Sequence, residues 1–395
     1  MKYLAFILYL LVGVTPAIYC QQSSKPPVFP LQSLALDSDY QWLEKPFSNE
    51  INDSVRFVGL GEFSHGGKET ILFKSKMIQY LIKNKGYRTL MIEYPNVFLR
   101  RINDYLLNKT AASSDSVKII AQNTFGRTFL GNTSFYDLLV WLKRYNLSQP
   151  NDMFTIGGFD IEGASIGFAD YFMNNFLAPF DSQYASEIHS KWPHDAKDSI
   201  TVAELIWFKD HKKNLEEKLN AVAYRNIVYN VKAAEDKLTH QKLQKINFYK
   251  ASAFRDSIMA SNITAFNDAK TIIWSHNMHI TTSDYVVSLG NYLNASVGKQ
   301  YYCVLTDFFN PATVWSISNE GILSKKTFNP NPKTTSYLIH KKTGIDNGIV
   351  LFKNLKSNQV QLNTIDRVGN QFTLGKGHAF DALVILGRVE PFVFN

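Results

Sequence analysis

Acids and imidazoles recur in this chain where short apolar runs end. Val55–Leu60 runs into Gly61-Glu62-Phe63-Ser64-His65-Gly66-Gly67, Arg88–Ile92 into Glu93, Met153–Phe159 into Asp160, and Lys270–Ser275 into His276-Asn277-Met278-His279. A histidine close to a carboxylate can be held neutral and oriented, which suits a general base that takes a proton from water. A second imidazole or a cation, from His276, His279 or Arg255, would stabilise the oxyanion formed when water attacks a carbonyl. The chemistry these groups describe is hydrolysis without a covalent intermediate. Any one of them alone reads equally well as a solvent-facing loop residue. Their repetition at successive strand ends is what core packing does not explain, because buried charge needs partners.

The elements that would position them form an α/β pattern. After the first run, Ile71, Leu72, Met77, Leu81 and Ile82 recur at helical spacing up to the stop signal Asn84-Lys85-Gly86, and the second run follows at once. Strand, helix, strand in this order is a βαβ unit, which implies parallel strands joined by a right-handed crossover. Helices are expected around Leu99–Leu107 and over Tyr136–Tyr145, with a polar loop between them. From about Pro179 to Asn262 long stretches rich in Lys, Glu and Gln, such as Ala203–Ala223 and Asn230–Leu243, predict an α-helical subdomain inserted over the sheet. A fifth run, Gln300–Thr306, ends on Asp307; Ala312–Ile317 and Gly348–Phe352 read as hairpin material, and Phe380–Leu386 as a closing buried strand. The expected fold is a mostly parallel central sheet flanked by helices, with the helical insertion and a β-rich C-terminal part. All the strand ends of a parallel sheet lie on one edge, so residues far apart in sequence can meet in one cleft there.

Two other chemistries draw on the same chain. His276-x-x-His279 with neighbouring acids could hold a zinc ion whose water attacks the substrate. Gly163-Ala164-Ser165-Ile166-Gly167 is a literal Gly-x-Ser-x-Gly, with His378 and Asp381 downstream, although Asp160-Ile161-Glu162 separates it from the strand end where a nucleophile elbow belongs. A non-catalytic protein that holds a small polar ligand in the cleft is a third possibility.

The 395 residues are 45% hydrophobic and 19% charged, enough to bury a large core. Lys and Arg number 42 against 34 Asp and Glu, a formal charge of +8, but the basic residues are scattered and no nucleic-acid motif occurs. The cysteines, Cys20 and Cys303, number 2, too few for a disulfide framework or a cysteine zinc site. Met1–Val14, a basic start followed by an apolar stretch, reads as a secretory signal within residues 1–20, followed by a linker over 21–35 and one domain over 36–395. Export to the periplasm or the exterior is therefore expected, with lipidation at Cys20 a competing outcome, and no membrane span in the mature chain.

The motifs Gly61-Glu62-x-Ser64-His65-Gly66-x-x-Glu69, Glu93, Gly158-Phe159-Asp160-Ile161, Arg255-Asp256-x-x-Met259-Ala260-x-Asn262 and Trp274-Ser275-His276-Asn277-x-His279 resemble, in order, the successive signatures of the erythromycin esterase family. The resemblance implies a cofactor-free, metal-independent esterase that opens a macrolactone, with His65 as general base, Glu62 and Glu93 as essential acids, and His276 and His279 lining the cleft. The resulting expectation is a monomer acting on a small-molecule ester, with macrolide resistance as the outcome if macrolides are cleaved. Asp160, Arg255 and Lys74 are expected on the substrate. Ser64 stands where threonine is usual, and Lys74 where the family resemblance leads one to expect arginine, which has a bidentate fork that lysine lacks.

Overall fold

The computed structural model describes residues 26–110, 115–266, 269–282, 287–354, 360–374 and 380–394. The expected leader, Cys20 and His378 lie outside them. Among the described residues an eight-stranded sheet runs in the order β1 (Phe29–Pro30), β9 (Gly348–Leu351), β12 (Ala382–Leu386), β6 (Tyr301–Phe308), β2 (Phe57–Glu62), β5 (Thr271–His276), β3 (Thr89–Ile92) and β4 (Thr155–Gly158). From β12 to β4 neighbouring strands are parallel; β9 and β1 add an antiparallel margin. β2, β3, β5 and β6 are buried along their whole length, which is why they read as continuous apolar runs.

Side chains alternate between the two faces of the sheet. Val58, Leu60, Leu90, Ile92, Ile272 and Trp274 pack into one core with helices α1 (Lys68–Lys85), α2 (Asn96–Leu107), α3 (Ser116–Phe125) and α4 (Thr133–Ser148). Phe57, Met91 and Ile273 face the opposite core. The α1 stop is as expected: Gly86 takes the left-handed conformation, φ 73°, that a side chain would disfavour.

The helical part begins earlier than its composition suggested. α5 (Ala164–Phe172), α6 (Ser182–Lys191), α7 (Lys197–Lys218) and α8 (Ala221–Ile246) carry a separate core of Phe168, Phe172, Trp207, Phe208, Leu215 and Ile227. α9 (Phe248–Phe266) and α10 (Leu289–Val297) bring Met259, Ile263 and Leu293 against the sheet.

Local signals account for the differences from the expected elements. The helix read through to Ala223 breaks at Leu219-Asn220, because the Asn220 side chain accepts a hydrogen bond from Ala223 N (2.9 Å) and starts a new helix. Part of the stretch read as a polar loop forms α3, with Val117, Ala121 and Phe125 as its buried stripe. β7 (Ala312–Ile317) pairs with β8 (Leu323–Phe328) and β10 (Leu362–Ile365) with β11 (Gln371–Leu374), whereas β9 joins the main sheet rather than a hairpin. Within the stretch read as a linker, Phe29–Pro30 pairs with Ile349 and Gly348.

Candidate active site

β2, β5 and β3 lie side by side, so their carboxyl ends bring distant residues to one edge. The register sets Glu62 beside His276 and Ile92 beside Trp274, and the next residue, Glu93, therefore lies against Ser275.

His65 projects from the turn between β2 and α1. Its Nδ1 lies 2.6 Å from Glu62 Oε1, and the other Glu62 oxygen accepts from Lys74 Nζ at 2.8 Å. Burial alone would raise the Glu62 carboxyl, but the Lys74 ammonium and His65 hold it below its ordinary value. Nδ1 therefore carries the hydrogen toward an ionised acid, and Nε2, with no partner among the described residues, is the ring nitrogen offered to the cleft.

Lys74, expected on the substrate, is not there. It is fully buried, and its ammonium also donates to Ser275 O (3.1 Å) and lies over the Trp274 ring (4.5 Å). It holds the acid that holds the histidine. Burial pushes its pKa down to about 8 against the pull of Glu62.

Glu93 accepts from Ser275 Oγ (2.7 Å) and His276 N (2.8 Å) with one oxygen, and faces Arg255 Nη2 (3.3 Å) with the other. Burial works against its charge, yet His279, His65, Arg255 and the His276 N–H keep it well below the usual carboxylate range. Arg255 reaches in from α9 and binds Asp160 through two hydrogen bonds, Nε to Oδ1 at 2.8 Å and Nη2 to Oδ2 at 2.7 Å. Asp160 is thus the anchor of Arg255, and both line the cleft.

The two histidines after β5 differ sharply. Nε2 of His276 donates toward the carbonyls of Phe63 (3.2 Å) and Ile365 (3.0 Å), while Nδ1 accepts from Met278 N (3.3 Å). Both nitrogens serve the backbone, and burial pushes the ring pKa down to about 4. The ring packs 5.0 Å from that of His65. His279 points Nδ1 at Asp256 (2.7 Å), which keeps a hydrogen there in either protonation state. Its Nε2 is 3.2 Å from Arg255 Nη1 and 3.4 Å from Glu93 Oε1, so a neutral ring accepts from the arginine and a protonated one donates to the glutamate. Burial lowers the His279 pKa, but Asp256 and Glu93 outweigh it and the net shift is upward.

The cleft over this cluster is about 370 Å³. Tyr94, Pro95, Phe98, Phe129, Leu130 and Trp274 give it apolar walls, and Arg127 and Arg367 stand at its mouth. A groove of about 590 Å³ adjoins it through Glu162, Gly163 and Arg367, but His65 does not line it. His276 and His279, expected to line the cleft, lie behind its wall and reach it through His65, Glu93 and Arg255.

The pattern of strand ends foretold the convergence of Glu62, His65, Glu93, Asp160 and His276. Ser275 and Asp256, which hold Glu93 and His279, stand in the motifs that resemble the family, but nothing in the sequence assigned them a role. Phe129, Arg127 and Arg367 come from loops with no recognisable pattern. The HxxH pair does not act as one unit, since its rings turn to different partners. Ser165 is buried on α5 with its hydroxyl on Asp198 (2.9 Å), and Asp381 pairs with Cys303 N at the opposite end of β6 from the site. Asp307, the fifth strand end, is spent on Asn363 and Ser336, where it pins β10 and the helix after β8.

Residues 82–388 match the sequence model of the family described as erythromycin esterase. Glu93, Asp160, Arg255, His276 and His279 lie inside the match, and Glu62, His65 and Lys74 precede it. YbfO of Bacillus subtilis, which carries a provisional hydrolase name, is 23% identical over 346 residues, spanning 76% of this chain and 74% of that protein. A crystal structure of a succinoglycan biosynthesis protein has the same fold, with a TM-score of 0.72 at 16% identity, covering 94% of this chain and 97% of the other. An erythromycin esterase mutant in an open conformation gives 0.65 at 15% identity, covering 93% and 99%.

Proposed function

The chain belongs to the erythromycin esterase family, and from that premise we propose that this hydrolase cleaves a carboxylic ester with water activated by His65. The observation that carries the reading is the relay Lys74, Glu62, His65: a buried ammonium fixes an ionised acid, the acid holds Nδ1 at 2.6 Å, and Nε2 is left for the cleft. Water on Nε2 gives up its proton as its oxygen bonds to the ester carbonyl carbon. Negative charge gathers on the carbonyl oxygen, where Arg255, already fixed by Asp160, provides a preorganised cation. The tetrahedral species then collapses, the C–O bond to the alcohol breaks, and the imidazolium returns the proton to the leaving oxygen. Glu62 stabilises that imidazolium throughout. Glu93 and His279 hold Arg255 and its surroundings, and His276 is a positioning residue that ties the His65 turn to β10.

The apolar walls of the cleft favour a bulky, hydrophobic ester, and a macrolactone is the substrate we assign, with drug inactivation as the consequence. The leader Met1–Val14 supports export, and a monomer is the state we propose.

The test is to incubate the purified protein and His65→Ala with a panel of macrolides and simple esters and to follow mass gain by water. Removal of a general base is expected to cost roughly 10²–10⁴ in kcat, with the thermal melt unchanged. Full activity in His65→Ala would refute the mechanism, and turnover of simple esters alone would refute the macrolide assignment.

A further inference from the structure

The turn between α8 and α9 ends in a cluster of large apolar side chains in water. Ile246 is 80% exposed, Phe248 68% and Tyr249 83%. The turn is well built: Asn247 Oδ1 accepts from Lys250 N at 2.9 Å, which caps α9, and the rings of Phe248 and Tyr249 meet edge to face at 5.9 Å. Lys242, Lys245 and Lys250 flank the cluster in sequence, all exposed, and no Asp or Glu occurs between Lys237 and Arg255.

Scattered exposed apolar residues need no explanation, but three on one tip form a patch that a soluble surface ordinarily avoids. The three lie at a turn between two helices, not along a helix face or a strand edge, the surfaces that partner helices and strands cover. Aromatic and aliphatic groups flanked by lysines, on a stretch of chain without Asp or Glu, complement the headgroup region of an anionic bilayer: rings enter the interface while ammonium groups meet phosphates. The place in the fold gives the contact a use. α9 runs from this tip past Arg255 in the cleft and ends before β5 at the amino edge of the sheet. The tip therefore stands beyond the active-site edge, seven residues before Arg255 in sequence, or roughly 10 Å along the helix axis.

We infer that the α8–α9 tip seats this protein on an anionic lipid surface, with Phe248 and Tyr249 inserted and Lys242, Lys245 and Lys250 on the headgroups. The inference does not depend on ester cleavage and is read without it.

The purified chain is sedimented with vesicles of phosphatidylcholine alone and of phosphatidylcholine mixed with phosphatidylglycerol. Binding is expected to the mixed vesicles, to fall as salt rises, and to weaken by more than about tenfold in Phe248→Ser/Tyr249→Ser and in Lys242→Glu/Lys245→Glu/Lys250→Glu. Every substituted residue is exposed, so the melting temperature should not move. The variants share the N-terminus of the parent chain, so the difference between them isolates the tip. A polarity-sensitive fluorophore on Tyr249→Cys should shift to the blue with mixed vesicles. Unchanged binding in both variants, no blue shift, or no binding by the parent chain overturns the inference. So does a dimer in sedimentation velocity that Phe248→Ser/Tyr249→Ser dissolves, since the tip would then be covered by a second copy.

Discussion

Lys74 shows how much one buried charge can decide. Its ammonium touches no solvent, and what it gains from Glu62, the Ser275 carbonyl and the Trp274 face must offset a desolvation penalty large enough to bring its pKa to about 8. As pH rises through that value the lysine loses its charge and Glu62 loses the cation that keeps it ionised and oriented. Activity is therefore expected to fall on an alkaline limb near pH 8. Lys74→Arg keeps its charge to far higher pH, and should move the limb upward while retaining turnover. A pH profile of kcat/KM on both proteins decides this, and an unmoved limb means that Lys74 does not govern it.

At the scale of elements, the His65 turn is held by parts of the chain that are remote in sequence. Trp315 N in β7 donates to Gly66 O (3.2 Å), Lys68 N donates to Glu390 O (2.7 Å), and Glu390 N donates to the Glu69 carboxylate (2.7 Å). Gly66 is needed here for close approach, because a Cβ would come within 2.1 Å of the Trp315 carbonyl oxygen. At Gly67 the nearest atom would be a movable methyl of Val389 at 3.0 Å. Gly66→Ala is thus expected to cost about 1–3 kcal/mol and, by shifting His65, to lower kcat at least tenfold. Gly67→Ala should do much less to either. Thermal melts and initial rates of the pair check the contrast, and equal effects would show that the β7 contact does not position the turn.

At the scale of the whole molecule, the helical layer over the sheet contains a group at odds with its setting. Glu204 of α7 is fully buried in that layer, and both carboxyl oxygens lack a hydrogen-bond partner among the described residues. Burial, with Asp170 adding to it, pushes its pKa up to about 9 from an ordinary 4.5. The sign follows: an acid whose folded pKa lies above its unfolded one stabilises fully below pH 4.5. Stability is then lost as pH rises toward 9, where the loss levels off. Glu204→Gln cannot ionise and is expected to be more stable than the parent chain by about 2–3 kcal/mol at pH 7, with little difference at pH 4. Denaturant unfolding across this range measures it, and parallel stability curves for the two proteins would overturn the assignment.

Strand order in the chain, the helix stop at Gly86 and the succession of acids and histidines at strand ends were legible because each is a local pattern: apolar period, left-handed glycine, breaker after a run. These determined by themselves that a parallel sheet would gather Glu62, His65, Glu93, Asp160 and His276 on one edge, and the order of motifs pointed to the family. Which nitrogen or oxygen each group spends, and on what, only the tertiary structure decided. His276 became a backbone anchor because Ile365, 89 residues away, lies over it. Lys74 left the substrate for Glu62 because α1 packs its inner face on Trp274. Hydrogen-bond partners and burial depend on register and on loops that cross from distant parts of the chain, and no spacing along the sequence encodes a contact of that kind.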